Sequence, residues 1–175
     1  RSASREYGYY QRDDHRIVLN AATGNGTLAH ELTHALTQFD FPHMPVWFDE
    51  GLATFHEQCE FSNDRLLLIG LSNWRVQVLI EAINGRRLDS LETFIAKPGI
   101  GQRQKALDYA HTRYFCLYLQ SRRLLGPYYR KMRRSVDQDP TGAETLRALL
   151  QVNSLNEVEA DFRQWAMNQV KSKKQ

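Results

Sequence analysis

Two short stretches decide how this chain folds. The first is Gly26-Thr27-Leu28-Ala29-His30-Glu31-Leu32-Thr33-His34. The second follows a loop bracketed by Pro42 and Pro45 and reads Trp47-Phe48-Asp49-Glu50-Gly51-Leu52-Ala53. In the first, Leu28, Leu32 and Leu36 recur with Ala29 and Ala35 at helical spacing. That spacing predicts an amphipathic helix with Thr27 as its N-cap, ending before Phe41-Pro42 because a residue ahead of proline avoids helical geometry. A second helix is expected from near Val46 to about Cys59. The loop between them is short, so the second helix returns antiparallel beside the first.

Residues i and i+4 stack on one face of a helix, so the imidazoles of His30 and His34 can reach a single ion. Glu31 lies about 100° round from His30, where it can reach a water at that ion without displacing it. This is the His-Glu-x-x-His pattern of zinc sites that use a glutamate general base. Catalytic zinc takes three protein ligands and leaves one position open. Glu50, sixteen residues past His34, is the favoured third ligand. Asp49 is the alternative, and it would point about 100° away from Glu50, so only one of the two can face the ion. His43 and His56 are weaker candidates, read as solvated histidines. Thr37 and Asp40 stand where a third histidine pattern of the His-x-x-Gly-x-x-His kind would need glycine and histidine, which excludes that class. Asp49, Thr54 and Glu57 are candidates to hold the histidine rings from behind.

Outward from this centre, residues 7–12 suit an edge strand and Arg16 to Asn20 a second one, closed by the turn Thr23-Gly24-Asn25-Gly26. Beyond Cys59, Leu66 to Ile69 reads equally as a strand or a helix start. Helices are expected over about 73–84, 90–95 and 103–124, with Gly126-Pro127 breaking the last, and then over 128–136. Thr141 with Glu144, and Ser154 with Glu157, have capping-box spacing for two more. The fold class expected is α+β, mainly α. It is a single domain over 1–175, with strands and the two ligand helices in 1–60 and a helical lobe in 61–175.

Composition excludes several classes. Hydrophobic content of 42% and charged content of 25% are those of a globular domain. No apolar run is long enough for a membrane span. Cys59 and Cys116 form no CxxC pair and are expected as free thiols. The net charge is +3, with Arg122, Arg123, Arg130, Lys131, Arg133 and Arg134 crowded in one stretch. That stretch reads as a solvated helix face. It also allows a rival reading, a helical interaction domain that binds an acidic partner. No nucleic-acid motif is present. The start, Arg1 to Arg5, is not a signal peptide and reads as a cut, so the natural protein is expected to extend upstream.

At these residues the sequence resembles the gluzincins, the His-Glu-x-x-His…Glu zinc peptidases that include thermolysin and the aminopeptidase N family. More closely it resembles the bacterial peptidase MA-like domains of unknown function, through Gly26 to His34 and Trp47 to Ala53. The match is specific only over residues 26–57. The resemblance implies a zincin-like metallopeptidase domain with one zinc ion on His30, His34 and Glu50, Glu31 as general base, and a peptide or protein substrate. Tyr109 occupies the position of the aminopeptidase catalytic tyrosine, with His111 and Tyr114 as neighbours that can replace it. The aminopeptidase segment Gly-x-Met-Glu-Asn, which grips a free amine, has no counterpart here. Exopeptidase specificity is therefore not implied, and a metalloendopeptidase is expected. The alternative within the same fold is a catalytically inactive binding domain.

Overall fold

The computed structural model describes residues 8–20, 22 and 24–170. Strands β1 (Gly8–Gln11) and β2 (Arg16–Leu19) form an antiparallel hairpin with Tyr10 opposite Ile17. Helices α1 (Asn25–Asp40) and α2 (Val46–His56) follow, then a second hairpin, β3 (Cys59–Phe61) with β4 (Leu68–Gly70). The rest is helical: α3 (Arg75–Asn84), α4 (Leu91–Ile95), a 3-10 turn over Gln102–Gln104, α5 (Lys105–Ser121), α6 (Leu125–Ser135), α7 (Ala143–Leu150) and α8 (Asn156–Asn168). The molecule is thus mainly α with two small sheets. No described helix is long and apolar enough to cross a membrane.

Local chemistry explains most boundaries and corrects several expectations. Helix α1 starts two residues before Thr27, after Gly24 at φ 80°, and has no side-chain cap. The left-handed backbone there suits only a glycine at low cost. Helix α2 begins as Pro45 turns the chain, its carbonyl accepting from the amides of Phe48 and Asp49. Ser90 caps α4 by accepting from the Thr93 amide. The break after α5 falls at 122–124, where Arg123 takes φ 59°, and not at Gly126-Pro127. Pro127 lies in the first turn of α6, where its missing N–H costs nothing. Helix α7 is entered from Gly142, not Thr141, and the Asp139 carboxylate accepts from the amides of Glu144 and Thr145. Glu157 does reach back to the Ser154 amide, at 2.9 Å.

The core is built around α2 and α5. Trp47 and Phe48 on α2, Phe115 on α5, Tyr128 on α6 and Phe162 on α8 are all buried. Their rings meet at centroid separations such as 5.6 Å for Trp47–Phe115 and 4.8 Å for Phe48–Tyr128. Each such ring contributes about 3–5 kcal/mol against truncation to alanine. Helix α2 thereby becomes a rigid strut between α1 and α5. The two cysteines are free, Cys116 buried and Cys59 half-buried.

Candidate metal centre

Helices α1 and α2 bring His30, His34 and Glu50 together, each offering a ligand atom within 4.8 Å of the others. The two Nε2 atoms are 3.1 Å apart. Glu50 Oε2 lies 3.5 Å from His30 Nε2 and 3.7 Å from His34 Nε2. That oxygen is buried and has no hydrogen-bond partner.

The far side of each ring fixes what the near side can do. His30 Nδ1 is 3.0 Å from Glu57 Oε1, and His34 Nδ1 is 3.1 Å from Asp49 Oδ2. A carboxylate there takes the Nδ1–H, which leaves each Nε2 as a bare lone pair. Two imidazole nitrogens and a carboxylate oxygen without a hydrogen-bond partner then converge on one point. Such a donor set could hold a cation.

Both carboxylates are themselves held. Asp49 Oδ1 accepts from Thr37 Oγ1 at 2.8 Å, and Arg12 lies 3.4 Å from Oδ2. Glu57 is gripped by Arg75 Nη2, at 2.9 Å from each oxygen. Without metal, protons stand in for it. Burial pulls the His34 imidazolium down, but Asp49 and Glu50 outweigh it and push the pKa up to about 10. Burial acts against the Glu50 carboxylate, yet the two histidines hold it down to about 2.

Glu31 is 7% exposed, next to the cluster but on another face of α1. Burial raises its pKa; the two histidines oppose the rise, and so does a hydrogen bond from the Tyr10 backbone of β1. The ring of Tyr109 on α5 lies edge-on to His30 with centroids 6.2 Å apart. Burial, then the Glu50 charge, pushes its phenol upward, so its hydroxyl remains a proton donor at neutral pH.

The structure does not bring every candidate here. His111 is buried between Phe94 and Phe162, stacked at 3.8 Å and 5.7 Å. The Tyr114 hydroxyl accepts from the Asn73 amide and contacts Ser72 Oγ, each at 3.0 Å. Thr54 bonds back to the Glu50 carbonyl at 2.7 Å rather than to a histidine. His43 is exposed, and His56 pairs with Thr33. Sequence reasoning missed Arg75, whose guanidinium also lies 5.7 Å from the Tyr109 ring centroid. No motif marks it, because its role exists only once α3 packs against α5.

Comparison of the chain with protein-family models, with curated proteins and with solved structures finds no match.

Proposed function

We propose that this chain is a zincin-like metallopeptidase domain, holding one zinc ion on His30, His34 and Glu50 and cleaving peptide bonds within a chain. One observation carries the reading. The three ligand atoms converge with both histidines backed by carboxylates, and a buried glutamate stands beside them without joining the ligand set. A purely structural metal site has no need of that glutamate.

Zinc held there would polarise a peptide carbonyl and lower the pKa of water to roughly 7. The remaining work falls to the chain. Glu31, its pKa raised by burial, accepts the proton of the attacking water and passes it to the leaving amine. Tyr109 donates its hydroxyl proton in a hydrogen bond to the developing oxyanion. Asp49 and Glu57 hold the imidazoles in one tautomer and orientation. The Tyr10 backbone of β1 bonds to Glu31 and so positions that carboxylate beside the metal ligands.

Metal analysis and a peptide-library digest test this together. The parent is expected to hold one zinc per chain and to cleave. Glu31→Gln is expected to keep the zinc and lose about 10²–10⁴-fold in rate. A parent with stoichiometric zinc and no cleavage would make it a binding domain, and one without zinc would end the reading altogether.

A further inference from the structure

A groove of about 1400 Å³ runs along the side of α1 that turns away from the metal ligands. Leu32 and Leu36 form one wall, each two residues, or about 200°, from a ligating histidine. Leu52, Phe55 and Leu117 lie along it, and Leu67 comes from the β3–β4 turn. Leu36 is 62% exposed and Leu67 66%, an apolar exposure that marks an interaction face. Two of the three leucines that predicted α1, Leu32 and Leu36, therefore face this groove rather than the core. His30, His34 and Glu50 do not line it.

Three further features narrow what can fill it. The first is charge. Arg123 and Arg130, both exposed, line the groove at the α6 side. Neither has an ion pair among the described residues, whereas their neighbours Arg122 and Arg133 are paired with Asp161 and Asp40. The second is the sheet edge. Gln120 donates to the Leu68 carbonyl at 2.8 Å and accepts from the Gly70 amide at 3.0 Å, so the outer edge of β4 is already taken. An added strand would have to displace both of those bonds, whereas a helix needs no edge groups. The third is size. A helix with side chains is about 10–12 Å across and rises 1.5 Å per residue, so the volume corresponds to roughly 8–12 residues, two to three turns. That exceeds the usual range for small-molecule pockets, about 300–1,000 Å³.

We infer that this groove docks an amphipathic helix of a protein partner, with leucine-like anchors at i, i+3, i+4 and i+7 and acidic residues at the end nearest Arg123 and Arg130. The site is distinct from the metal cluster and does not depend on the peptidase reading. It accounts for the unpaired Arg123 and Arg130 and for the exposed Leu32 and Leu36 of α1.

A display library of helical peptides selected on the full chain tests this. Selection is run in chelator, so that nothing is cleaved, with counter-selection on Leu36→Asp/Leu67→Asp. Both positions are exposed, so this variant is expected to melt like the parent, and it retains the metal cleft, which removes binders of that cleft. The expected outcome is enrichment of helices with the stated apolar spacing and Asp or Glu at one end. These should bind the parent about ten-fold or more tighter than Arg123→Glu/Arg130→Glu. No enrichment, or peptides indifferent to the arginines, overturns the inference. So does flotation of the chain with phosphatidylcholine–phosphatidylserine vesicles that Leu36→Asp/Leu67→Asp abolishes, which assigns the face to a membrane. A dimer in sedimentation that the same variant dissolves assigns it to a second copy and likewise overturns it.

Discussion

Glu57 shows how much of the centre rests on single side chains outside the ligand set. It receives His30 on one oxygen and Arg75 on both, so its charge is fixed and aimed at the ring. Removing that charge while keeping its shape, as in Glu57→Gln, is expected to weaken zinc binding about 10–100-fold in a competition titration with a chromophoric chelator. Unchanged affinity would show that Glu57 does not orient His30. His111 works in the opposite sense. It is buried between two phenylalanines, its Nε2 has no partner, and burial pushes its pKa down to about 3 from an ordinary 6.5. Between those two pH values the unfolded chain binds a proton that the folded chain refuses. Stability therefore falls as pH drops through that window, by about 1.4 kcal/mol per unit. His111→Phe should remove this slope. It should leave stability near pH 7 unchanged or higher by about 1 kcal/mol, and raise it by about 3 kcal/mol near pH 4.5, both read from urea melts. Equal acid sensitivity in the two proteins would show that other groups carry it.

Among elements, the α2–α5 crossing decides where Glu50 points. Gly51, the next residue, lets the helices touch: a Cβ there would lie 2.6 Å from Cys116 Sγ and 3.1 Å from the Thr112 carbonyl. Both neighbours are buried in α5 and cannot yield, so α2 must shift and carry its ligand with it. Gly51→Ala is expected to cost about 1–3 kcal/mol of stability and to lower zinc affinity as well. A variant that melts and binds zinc like the parent would show the crossing to be more plastic than it looks. Legibility at this scale followed the same line. Helices α1 and α5 were readable from local spacing. The β3–β4 hairpin was not, because it is held from far along the chain: Gln120 fastens β4, and the buried Arg113 donates to the carbonyls of Thr54, Gln58 and Leu71. No local pattern over 59–70 records those partners.

For the molecule as a whole, the proposed zinc would join the two helices that carry its ligands, with Tyr109 of α5 packed against them. A ligand that binds only the folded state stabilises it by RT ln(1 + [L]/Kd), about 2.7 kcal/mol at a hundred-fold excess over Kd. For a domain of this size that is roughly 5–10 °C in Tm. Chelation is expected to lower the melting temperature of the parent by that amount and to leave Glu50→Ala, which lacks the third ligand, unmoved. A parent indifferent to chelator would mean that no metal is bound in the folded state.

The chain's own order of residues set the pair His30 and His34 on one helical face, placed Glu31 beside them and returned a carboxylate on the next helix, because helical period and a short proline-bounded loop are local properties. The sequence favoured Glu50 over Asp49 as the third member of the cluster; tertiary packing brought Glu50 to the two histidines and turned Asp49 to the back of His34. Packing also brought Arg75 and Tyr109 to the site, buried His111 away from it and left Leu32 and Leu36 of α1 facing an open groove. Those outcomes depend on how α2, α3 and α5 cross, and a crossing is settled by contacts between residues distant in the chain, which no local spacing encodes.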